Sequence, residues 1–113
     1  MEKNYSNERP PLYTRDGGGT HTRTINFGVE EHPGEENAYS YYSVSVKVGQ
    51  WDYSGIVNAI VSAEYPADRM QAVQNNYLMA KREDGADAIE EFMEMQEWRA
   101  MAKATAHEVL GDN

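Results

Sequence analysis

The chain contains no cysteine. That absence excludes a disulfide framework, a thiolate nucleophile, cysteine-ligated zinc and iron–sulfur clusters, so stability has to come from packing alone. Long hydrophobic runs are also missing. Nothing in the sequence approaches the ~18 consecutive apolar residues of a membrane span, and the opening MEKNYSNERPP lacks the apolar centre of a signal peptide. The expectation is a cytoplasmic protein with no membrane contact. Phenylalanine is scarce at two residues, whereas tyrosine reaches eight. The aromatic content is therefore biased toward amphipathic rings. Basic charge is short as well: 10 Lys and Arg stand against 19 Asp and Glu, a net charge of −9.

The chain has 113 residues, 40% of them apolar, with a mean hydropathy of −0.79. This suits one domain with a modest core. The acid is not evenly spread. Residues 1–24 carry four basic and three acidic groups, whereas residues 25–113 hold 16 acidic groups against 6 basic ones. Seven carboxylates fall between Glu83 and Glu97. A field of that sign repels phosphate backbones, so direct nucleic-acid binding is not expected. It would attract a basic protein or imitate a phosphate array; its simplest role is to keep the chain soluble.

Residues 1–11, mostly polar and ending in Pro10–Pro11, read as a flexible arm, and residues 12–113 as a single domain. Leu12–Thr14 suggests a short strand. Asp16–Gly19 suggests a hairpin turn, and Thr20–Phe27 a returning strand with Ile25 and Phe27 facing the core. Tyr39–Val48 is the clearest strand, with Tyr42, Val44, Val46 and Val48 on one face at two-residue spacing and Tyr39, Tyr41, Ser43, Ser45 and Lys47 on the other. After Trp51 the period lengthens. Asp52 or Ser54 can cap a helix that buries Ile56, Val57, Ile60, Val61 and Tyr65, although the β-branched residues of this segment also allow a strand. Pro66 closes it and opens a second helix burying Met70, Val73, Tyr77 and Ala80. The third helix has Asp87 and Glu90 in a capping-box arrangement at its start and Gly111 as its left-handed stop. The order predicts an α+β fold: an N-terminal antiparallel sheet of two or three strands, then three helices packed on one face.

The third helix is apolar over an unusually wide arc. Ile89, Phe92 and Met93 lie on one side, and Met95, Trp98, Ala102, Ala106 and Val109 on another. Either the helix is deeply embedded, or its second half meets another chain. The candidate interface is accordingly Glu90, Glu94, Met95, Glu97, Trp98 and Met101, together with Tyr39 and Tyr41 on the sheet face opposite the valines.

No constellation of reactive groups emerges. His21, His32 and His107 lack the spacing of a metal site, and Asp16–Thr20 lacks the Lys-Ser/Thr ending and following helix of a phosphate loop. Glu90, Glu91 and Glu94 lack the apolar burial that tunes a carboxyl for acid–base work. The expectation is no catalytic residue, no metal and no cofactor. The stretch Phe92–Lys103, with its Gln-x-Trp-Arg-x-x-x-Lys pattern, resembles helices of small uncharacterised proteins of bacterial prophages and mobile elements. That resemblance implies an accessory role by protein–protein contact. The leading expectation is a non-enzymatic, homodimeric interaction module. An acidic decoy that occupies the nucleic-acid site of a basic host or defence protein is the second reading, and a small enzyme the third.

Overall fold

The computed structural model describes residues 1–15, 21–83 and 85–111, those at 81–83 in their backbone alone. The hairpin turn expected at Asp16–Gly19 lies outside them. Four antiparallel strands form one sheet, β1 (Asn4–Ser6), β2 (Tyr13–Arg15), β3 (Thr22–Glu31) and β4 (Tyr39–Lys47), in the spatial order β1-β4-β3-β2. A 3-10 turn over Val48–Gln50 leads into α1 (Tyr53–Glu64), followed by α2 (Ala67–Glu83) and α3 (Ala86–Leu110). The fold is α+β.

β3 and β4 form the centre of the sheet, and one face of the pair carries the β-branched and aromatic residues Ile25, Phe27, Tyr42, Val44 and Val46. Ile25 sits opposite Val44 and Phe27 opposite Tyr42. Beyond that pair one extra residue enters β3, since the next partners are Glu30 and Ser40. Gly28, at φ 62°, absorbs the bulge in the left-handed region.

β1 differs from the sequence expectation. Residues 1–11 are not simply an arm, because Asn4–Ser6 pair with Tyr41, Ser40 and Tyr39 along the free edge of β4. Three mostly polar residues show no periodicity to read. They become a strand only because β4 offers an unpaired row of backbone donors and acceptors. A chain of side-chain bonds then crosses the sheet. Asn4 donates to the Ser43 hydroxyl at 3.1 Å, Ser43 to the Asn26 carbonyl oxygen at 2.7 Å, and Asn26 to the Pro11 carbonyl at 2.8 Å. Val48 also departs from expectation. It leaves the strand for the 3-10 turn and is exposed rather than core-facing.

The inner sheet face is covered by α1 and the second half of α3. Ile25, Phe27, Val46, Ile56, Ile60, Ala102, Ala106 and Val109 form this core. Asp52 caps α1 by accepting from the Gly55 amide at 2.7 Å. The capping box at Asp87 does not form: α3 begins at Ala86 behind Gly85, so Asp87 lies within its first turn, where a carboxylate favours the helix dipole. Gly111 ends the helix at φ 76°, as its position predicts.

α2 packs on the first half of α3 instead of on the sheet, around a smaller core of Tyr65, Val73 and Met95. This pair of helices extends the molecule to 50 × 40 × 28 Å. The radius of gyration is 16.3 Å, against about 13 Å for a compact domain of this length.

Candidate functional site

Because α3 is longer than the sheet it covers, its two halves have different neighbours. The second half is embedded. Met95, still in the first half, is wholly buried against Tyr65 and Val73, which removes it from the candidate interface. Trp98 is half-buried; its indole N–H donates to the Ile60 carbonyl at 2.9 Å, and its ring meets Tyr42 edge-on at 5.1 Å and Phe27 at 5.7 Å. Met101 packs on the same core. Trp98 and Met101 join α3 to α1 and the sheet within one chain, so the second half of the helix does not need another copy to cover it.

The first half is where apolar surface is left over. Phe92 is used, stacked on Tyr77 at 3.9 Å with the rings 10° from parallel. Ile89 is half-buried, and Met93 is 59% exposed. The spacing of three and four residues places Ala86, Ile89, Met93, Glu90, Glu94 and Glu97 around one shallow groove of about 410 Å³. Methionine and isoleucine form its apolar line and the glutamates its border. Among the described residues, the ion pairs are Met1–Glu64, Lys3–Glu30, Arg9–Glu31 and Arg69–Glu64. None of them neutralises Glu90, Glu94 or Glu97.

A second groove, of about 260 Å³, adjoins the first and shares Glu94 and Glu97 with it. Its floor is Tyr42 and Trp98, and Gly28, Glu30 and Met101 complete the lining. Gly28 matters here. A Cβ at that position would lie 3.0 Å from the Tyr42 ring and 3.4 Å from the Met101 sulfur, so any larger residue would push into the floor.

Tyr39 and Tyr41 lie half-buried on the opposite sheet face, away from these grooves. The structure therefore brings Glu94, Glu97, Trp98 and Met101 together but leaves the two tyrosines apart. Sequence reasoning missed Ile89, Met93 and Tyr42 as site residues. Met93 had a readable signal, because it falls on the minor apolar side of α3, whereas Tyr42 looked like ordinary core.

The histidines are separate. The His32 ring is 2.8 Å from the Ser40 hydroxyl, His107 lies against Tyr53 at 4.8 Å between ring centres, and His21 is exposed. Among the described residues no group of His, Asp and Glu could hold a metal ion, and no helix is long and apolar enough to cross a membrane. Compared with protein-family models, with curated proteins and with solved structures, the chain matches none of them.

Proposed function

We propose that the protein is a non-enzymatic interaction module that binds a basic partner through the first half of α3. One observation carries this reading: a line of half-buried Ile89 and exposed Met93 bordered by glutamates that take part in no ion pair among the described residues. An amphipathic helix with an apolar stripe and flanking Lys or Arg complements such a surface in shape and charge. Methionine adapts to the partner's side chains, and the carboxylates raise the encounter rate.

The test is the fluorescence anisotropy of a labelled amphipathic helical peptide built from leucine and lysine, titrated at low and high salt. Binding should weaken with salt yet persist, and Met93→Glu should weaken it at least about fivefold. Binding indifferent to Met93→Glu and abolished by salt would favour the acidic decoy instead, since a phosphate mimic needs the charges and not the methionine.

Self-association is the second reading, favoured by Leu78 and Met79 on α2, which are 60% and 59% exposed. Light scattering decides it. A mass of one 12.8 kDa chain at both salt concentrations would remove it.

A further inference from the structure

An ammonium group stands beside the groove over Tyr42. Lys3, just ahead of β1, places its Nζ 5.6 Å from the centre of the Tyr42 ring and 3.6 Å from a carboxylate oxygen of Glu30. That is the reach of a cation–π contact with an anionic neighbour. On the α3 side of the same groove stand Glu94 and Glu97, which are exposed and make no ion pair among the described residues. Among the described residues, the groove is thus lined by three carboxylates, of which Glu30 alone is paired, with Lys3.

We propose that this groove is the seat of a lysine or arginine side chain of the partner, and that Lys3, held on the Tyr42 ring and Glu30 at its edge in the free protein, is an internal competitor. The proposal rests on the reading of α3 as a surface for a basic partner, and it extends that surface. Glu94 and Glu97 border both grooves, so a basic helix laid on Ile89 and Met93 has a cationic side chain within reach of Tyr42. The floor is rigid. The Tyr42 ring is fixed edge-on against Trp98, whose indole is in turn bonded to α1, and Gly28 keeps the approach free of a side chain. The competitor is not rigid. Lys3 is one-third exposed and is carried by a three-residue edge strand, the kind of element that opens locally at small cost.

The experiment uses two probes on the full chain. n-Butylammonium is titrated while the Tyr42 ring resonances are followed by NMR, and the leucine–lysine peptide is titrated by anisotropy. Lys3→Ala should bind both roughly threefold more tightly than the wild type, the scale of one exposed cation–π contact. Lys47→Ala, which removes the same charge at the far end of β4, should change neither. Circular dichroism confirms that the Lys3→Ala chain is folded, and Lys3→Gln serves as a second neutral variant. Tyr42 resonances that ignore butylammonium, or titrate identically in wild type and Lys3→Ala, overturn the proposal. Peptide binding lost in Met93→Glu but indifferent to Lys3→Ala also overturns it, while leaving the interaction module in place. Butylammonium seated on Tyr42 without any peptide binding supports the cation seat and overturns the module.

Discussion

Trp98 and the two methionines near it show how much a single position can differ from its neighbours. Sequence alone places Trp98 on the apolar side of α3 and makes it a candidate contact with another chain. In the folded protein it is a junction: edge-on to Tyr42 and Phe27, and hydrogen-bonded through its indole to the Ile60 carbonyl. Trp98→Ala is expected to cost about 3 kcal/mol in urea unfolding and to leave the solution mass unchanged. Trp98→Phe, which keeps a ring but loses the donor, is expected to cost about 1 kcal/mol. An intact unfolding midpoint combined with a change in mass would return Trp98 to an interface. Met93 and Met95 are two residues apart on the same helix, yet one is 59% exposed and the other is fully enclosed by Tyr65 and Val73. A helix turns these side chains about 200° apart, so only the neighbour on each side tells them apart.

At the scale of elements, the joint between α1 and α2 has its own charge logic. Tyr65 caps the end of α1, Pro66 accepts the first helical bond of α2 from Met70, and the Arg69 guanidinium stacks over the Tyr65 ring at 4.7 Å while bonding the Glu64 carbonyl and carboxylate. Burial acts to raise the pKa of the Glu64 carboxyl, but the bonds it accepts from the Met1 ammonium and Arg69 outweigh that and hold it below its ordinary value of 4.5. A carboxyl with a depressed folded-state pKa stabilises the protein fully above its unfolded value, and that contribution disappears as pH falls through the folded one. Glu64→Gln is therefore expected to be less stable at neutral pH by roughly 1 kcal/mol or less, with the difference closing below about pH 4.5. Urea midpoints measured across that range check it; a difference that persists in acid would mean the side chain acts through packing. The succession of elements was legible because periods of two and of three to four residues are local properties. Ile25, Ile56, Ile60 and Val73 were readable as core for that reason. β1 was not legible, since Asn4–Ser6 owe their strand to the edge of β4 and not to their own side chains.

The whole molecule is unevenly built. One core joins the sheet, α1 and the second half of α3, while α2 is held to the first half of α3 around three buried side chains, Tyr65, Val73 and Met95. Amides of α2 are expected to exchange with solvent roughly tenfold or more faster than those of α1 and of the second half of α3. Equal protection would place α2 in the main cooperative unit. By itself the sequence determined the α+β class, the absence of thiol chemistry, the concentration of acid on α3 and most of the core, because composition and periodicity are written along the chain. Only the tertiary structure decided which apolar face stays open. The wide arc of α3 says that much of the helix avoids water; it does not say what covers it. The sheet and α1 reach the second half, α2 reaches one side of the first half, and Met93 is left outside. The same long-range packing set Tyr42 beneath Lys3, two residues far apart in sequence that meet because β1 closes the edge of β4.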